Sequence, residues 1–321
     1  MNITDIPSKI LKAFGINGQK NTIPVDSSTT TDSNGVATFD KGFPPITMQP
    51  LSAGGKPPAG KDMNGILNAI TAQQQWQNAG GSYPFDALFA TAIGGYPSGA
   101  MLPSSDFYGL WQNTIDGNST PPENTSGALT GWVPHSYYGS SQVAITTSNV
   151  TLTTLQAARN EIILSGALTG NRYLYLPSWT KSWRIVNNCS GNFSVLVSTQ
   201  SSSATVQSYP GTVMNVRGDG GGVYLVQPAL LSSNGYQRFD SGLVIQWGLT
   251  EALPGATVNI TYSIPFQTAA FIGIASKGAG ITNSDYACGM DVTRTGAIIN
   301  NGGNAAGSSG IQGIRWLVIG F

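Results

Sequence analysis

The chain has 321 residues, only 9% of them charged, and its charges balance to a formal net of zero; an ordinary globular chain carries roughly 25%. A pI near 6.5 without a basic stripe argues against nucleic acid as a partner, and 40% apolar content excludes a disordered polar tract. No run reaches the roughly 18 apolar residues of a membrane span, and no signal peptide is expected, because Asp5, Lys9, Lys12 and Lys20 interrupt the apolar positions of the first segment.

A surface this poor in charge offers little repulsion between copies, so the chain is expected to self-associate, with closed cyclic symmetry the usual outcome. Composition does not fix the number of copies.

Residues 1–60 carry seven prolines, from Pro7 to Pro58, and no sustained periodicity. Such a segment orders only against neighbours, and it reads either as a docking arm or as a tail. Residues 62–79 form the one convincing helix, with Asp62 as N-cap and Gly80-Gly81 as stop. Met63, Ile66, Leu67 and Ile70 share a face that Gln73, Gln74 and Gln77 extend. That stripe suits a short parallel bundle registered by buried amides, or an amphipathic helix packed on a local β-module.

Residues 83–138 are rich in aromatics: Tyr83, Phe85, Phe89, Tyr96, Phe107, Tyr108, Trp111, Trp132, Tyr137 and Tyr138. A small-domain core is the favoured reading and a sugar platform the alternative. From about 143 to 228, apolar or β-branched runs at 150–155, 161–164, 173–176, 183–186, 193–197, 213–216 and 223–226 alternate with Gly, Asn, Ser or Pro, and no charge occurs from Ile185 to Val216. Strands at roughly 8–12-residue spacing predict a β-sandwich. Within 235–321, strands are expected at 242–247, 257–263, 269–275, 286–292, 296–299 and 314–319, with a glycine-rich loop at 300–313.

The segments NGYQRFDSGLVIQWG at 234–248, Ile264-Pro265-Phe266, and IRWLVIGF at 314–321 resemble the C-terminal domain of phage and prophage tail fibres. The aromatic stretch and the middle strands also resemble small β-modules and β-domains of such fibres; the aromatic stretch loosely resembles carbohydrate-binding modules as well. The resemblance implies a mainly β, elongated homotrimeric fibre, located in the virion after assembly in the host cytoplasm. Its parts would be a virion-attachment arm (1–60) on the tail or baseplate, a short N-terminal helix in a bundle (61–82), a small aromatic β-module (83–140), a β-sandwich (143–230) and a C-terminal receptor-binding tip (235–321).

Gln246, Trp247 and Trp316 are expected to be core or subunit-interface residues. Recognition of a host glycan, lipopolysaccharide or outer-membrane receptor is expected in tip loops, where side chains vary without disturbing strands. Lys277, Asn283, Asp285, Tyr286, Arg294, Asn300, Asn301 and Asn304 are the candidates, because amides, hydroxyls and a tyrosine ring suit sugars.

Chemistry is scarce elsewhere. His135 is the only histidine, Cys189 and Cys288 stand far apart as packing residues, and no catalytic motif, metal set or cofactor site is expected. Two carboxylates for glycoside hydrolysis are not recognisable: Asp285 and Asp291 stand too far apart along one strand region. No repeat suggests a long β-helix. A non-enzymatic fibre is therefore preferred to two alternatives, a glycan-depolymerising tail spike and the fibre of a phage-derived bacteriocin.

Overall fold

The computed structural model describes residues 2–239, 241–277, 288–302 and 310–321. They divide into two compact units, Met1–Phe89 with Leu102–Phe107, and Ala90–Met101 with Tyr108–Phe321.

In the first unit, helix α1 (Thr29–Asn34) starts at Ser28, whose hydroxyl accepts from Thr31 N. Helix α2 (Gly60–Asn78) is the organising element. The proline-rich segment before it forms no strand ladder among the described residues, so its main-chain groups are free to pair with side chains. Side chains of α2 supply the partners. Asn64 donates to Gln19 O at 2.9 Å, Asn68 to Phe14 O at 2.7 Å and Gln75 to Leu11 O at 2.8 Å, while Phe14 N donates to Thr71 Oγ1 at 2.8 Å. Positions 64, 68, 71 and 75 fall on one helix face, and their partners run backwards from Gln19 to Leu11. Residues 11–21 therefore lie antiparallel along α2, which is the neighbour that orders them.

Asp62 does not cap the helix. Ala59 holds the N-cap position, and the Asp62 carboxylate is buried, accepting from Asn21 Nδ2 at 2.6 Å and from Ala37 N at 3.0 Å. Gln73, Gln74 and Gln77 are exposed in the single chain, as are Met63 and Ile70. Within the stripe Gln74 donates to Gln77 Oε1 at 3.2 Å, while the glutamine that reaches the arm, Gln75, lies off it.

The bounds of the two units fall within short helix α3 (Ala87–Ile93) and strand β1 (Met101–Pro103). The second unit continues with a hairpin of β2 (Gly109–Asn113) and β3 (Trp132–Tyr137). The core reading of the aromatics holds for Tyr96, Trp111 and Trp132, all buried. Trp132 meets Tyr96 edge-on at 5.7 Å, and its Nε1 donates to Thr120 O at 2.8 Å. Two buried amides close the hairpin loop: Asn113 donates to Tyr96 O and Ile115 O, and Asn118 donates to Asn113 Oδ1 and Thr130 O. Phe107, Tyr108 and Tyr138 remain exposed.

The chain then alternates between two sheets. Strands β4 (Ser140–Ala144), β6 (Glu161–Ala167) and β8 (Ser182–Ser190) stack in parallel in one. Strands β5 (Val150–Thr151), β7 (Arg172–Leu176) and β9 (Val195–Thr199) stack in parallel in the other. Ser141, Ile162 and Ile185 are in register, as are Val150, Leu174 and Val197. This is a short parallel β-solenoid. It ends in antiparallel strands β10 (Val206–Ser208) on β9, β11 (Val213–Gly218) on β8, and β12 (Val223–Leu225) on β11.

The expected β-sandwich is thus corrected in topology. Both architectures place a short strand every few turns with side chains alternating in and out, so spacing and alternation do not separate them. The coils share only inward positions of varied identity (Val143, Leu164 and Asn187 in one register), so no repeat is visible in the sequence. Asn187 fits because its buried amide donates to Ser208 O at 3.0 Å and its Oδ1 accepts from Cys189 N at 3.1 Å. Helix α4 (Thr154–Ala158) lies in the link from β5 to β6, and Trp183 Nε1 donates to Ala157 O at 2.7 Å. Cys189 and Cys288 are both unpaired, and burial pushes both thiols up.

The last part of the chain is antiparallel: β13 (Ala229–Leu230), β14 (Gly235–Arg238), β15 (Val244–Ala252), β16 (Thr257–Thr261), β17 (Ala270–Lys277), β18 (Cys288–Val292), β19 (Gly296–Asn301) and β20 (Gln312–Gly320). One sheet has the order β13-β14-β15-β20-β17 and the other β16-β19-β18. Val244, Tyr262, Phe266, Ile299, Ile314, Trp316 and Val318 fill the core of this part.

Gly65 sits where the arm crosses α2: a Cβ there falls 2.2 Å from Asn21 O and 3.1 Å from Ile23 Cδ1. Gly65→Ala is expected to loosen the arm by about 1–3 kcal/mol although alanine favours helix. Hydrogen exchange at Asn21–Ile23 checks this: those amides should speed up while those of β20 stay unchanged.

Candidate functional site

The two segments that carry the fibre resemblance meet as β15 and β20, paired from Val244↔Gly320 to Ala252↔Gln312 at the centre of the five-stranded sheet. Their inward residues explain the motif. Gln246 is fully buried, yet its amide donates to Ile264 O at 2.7 Å and accepts from Ile264 N at 3.2 Å. It pairs with a main chain as another strand would, and leaves no buried polar group unsatisfied there. Gly248 lies opposite Trp316, where a Cβ falls 2.3 Å from the indole. The glycine makes room for the ring.

The outward residues of the same strands are also apolar. Ile245, Ile319 and Ile272 form one cross-strand row, and Trp247, Leu317 and Ile274 the next. Ile272 is 53% exposed, Ile274 60% and Leu317 36%. Leu249 and Arg315 continue the pattern as a pair, with Glu251 further along β15. Rows of large side chains left open to water mark an interaction surface rather than an ordinary exterior.

The candidate recognition residues fall in three places. Lys277 ends β17, and its Nζ donates to Gly302 O at 3.2 Å. Asn300 is exposed near the end of β19. These two therefore lie at the same end of this C-terminal part. Asn301 is fully buried, and its Nδ2 donates to Leu253 O at 3.0 Å and Gln312 Oε1 at 3.1 Å. It braces the strand ends beneath that surface. Arg294 is exposed in the β18–β19 turn, at the other end of β19, about 20 Å away at strand spacing.

Asn283, Asp285, Tyr286 and Asn304 lie outside the described residues. The strand ends that flank them are together: Cys288 pairs with Asn301, Lys277 with Ile314, and Asn301 reaches Gln312.

Residues 238–321 match the family model of the gp53-like tail fiber protein, C-terminal. An uncharacterized protein of Methanocaldococcus jannaschii is 29% identical over 102 residues, which cover 29% of this chain and 66% of that protein. Two pyocin fibre structures each match 30% of this chain with a TM-score of 0.27. The C-terminal part of the Pseudomonas aeruginosa R2 pyocin fibre is 30% identical, with 26% of that chain covered; an N-truncated R1-type pyocin tail fibre is 25% identical, with 87% covered. A TM-score that low does not establish a common fold.

Gln246→Leu keeps the volume but strands both Ile264 main-chain groups in the core. A loss of about 2–5 kcal/mol is expected from two buried groups left unsatisfied. Urea unfolding followed by tryptophan fluorescence should show the lowered midpoint; an unchanged midpoint contradicts the pairing role.

Proposed function

From residues 238–321 as a gp53-like tail fibre C-terminal domain, we propose that the chain is a receptor-binding tail fibre of a phage or a phage-derived particle. Three copies associate about a common axis, the N-terminal arm faces tail or baseplate proteins, and the tip meets a glycan or another receptor on the host surface. The observation that carries the assembly is the outward face of β15, β20 and β17. Its two apolar rows are large enough to need a cover, and Arg315 and Glu251 offer opposite charges at its margin, so copies can satisfy one another. Recognition is assigned to the end of the tip that holds Lys277 and Asn300, together with Asn283, Asp285, Tyr286 and Asn304. Arg294, at the far end of β19, is left out of the contact surface. Asn301 serves as the brace beneath it.

Leu317→Glu places a carboxylate in the middle of the apolar rows. It is expected to convert the oligomer to single chains, read as molar mass by light scattering; an unaltered mass removes this face from the interface. For recognition, fluorescent full-length protein is applied to a panel of bacterial strains. The combined Asn283→Ala and Tyr286→Ala variant should lose about tenfold in binding to the strains that the parent protein labels, and Arg294→Ala should match the parent. Equal binding by the double variant, or new reducing ends released from host polysaccharide, contradicts the proposal.

A further inference from the structure

A groove of about 610 Å³ runs between β3 and the corner that joins β7 to β8, entirely within the second unit. Its size is that of a ligand site rather than a crevice. One wall carries His135 and Ser136, both exposed, and the other carries Trp179, Thr180 and Lys181, with Asn160 beside them.

One feature, Lys181, sets it apart from a solvated cleft. Its Nζ donates to Asn160 Oδ1 at 2.5 Å and lies 5.6 Å from the Trp183 ring centre, and no carboxylate stands within ion-pair distance among the described residues. Burial brings the ammonium down to about 8. A cation drawn partly out of water without a counter-charge favours an incoming anion.

We propose that this groove binds an acidic saccharide, with a sugar carboxylate on Lys181 and sugar hydroxyls on His135, Ser136, Thr180 and Asn160. Hydroxyl, imidazole and amide groups suit the hydroxyls of a sugar ring. No Asp or Glu lines the groove. An anion therefore meets no opposing charge there, and the paired carboxylates of glycoside hydrolysis are not supplied. The site is separate from the tip and does not rest on the tip's role.

Calorimetry on the full-length protein tests it with an oligogalacturonate, a maltooligosaccharide of equal length, and acetate. Only the oligogalacturonate should bind, and Lys181→Met should weaken it at least about tenfold. A second readout protects against a misfolded variant. In the parent protein, acetylation of Lys181 measured by mass spectrometry should slow with the oligogalacturonate and not with the neutral sugar. Absent binding, equal binding of the neutral sugar or acetate, undiminished affinity in Lys181→Met, or unprotected Lys181 each overturns the proposal.

Discussion

Strands β15 and β20 pair over nine consecutive positions, and large apolar side chains stand on both sides of that ladder. One side, with Val244, Ile314, Trp316 and Val318, closes onto the second sheet and makes the core of the tip. Among the described residues the other side is left open, with Ile272, Ile274 and Leu317 exposed. A sheet buried on both faces reads as a near-continuous apolar run, and IRWLVIGF is such a run. The core of this part and the apolar face proposed for assembly thus arise in the same two strands. Lys277, at the end of β17, is held against this ladder by its pairing with Ile314 of β20.

The rest of the chain follows a related rule, in which uncharged polar groups take over work that charges do elsewhere. Among the described residues, amides hold the N-terminal arm on α2, close the hairpin loop through Asn113 and Asn118, fill a core position at Asn187, and mimic a strand at Gln246. Each donates to main-chain or amide oxygens at ordinary distances, so burial leaves few orphans. This is the physical content of a composition with 9% charge.

Legibility of the sequence differed by kind of feature. The tip strands stand close to their expected positions, since alternation with Gly and Asn breaks is a local signal. The placement of Gln246 and Trp316 as buried residues also followed from their apolar surroundings. The arm's course along α2 was not legible, because Asn64, Asn68, Thr71 and Gln75 are polar residues on a helix and look like a solvated face. For the same reason Asp62 resembled a cap. The solenoid was hidden by a pattern it shares with a sandwich. The groove was missed because its members come from Pro134–His135 and Trp179–Lys181, which only the docking of hairpin on solenoid brings together. Its one advance signal was a lone histidine beside a proline.

Carbene footprinting of the native, full-length protein tests the doubly apolar ladder most directly. Ile272, Ile274 and Leu317, exposed in the single chain, should be protected to the level of core residues such as Val318, while exposed Tyr138 and Leu230 label freely. Labelling of Ile274 and Leu317 in proportion to their single-chain exposure contradicts a covered face.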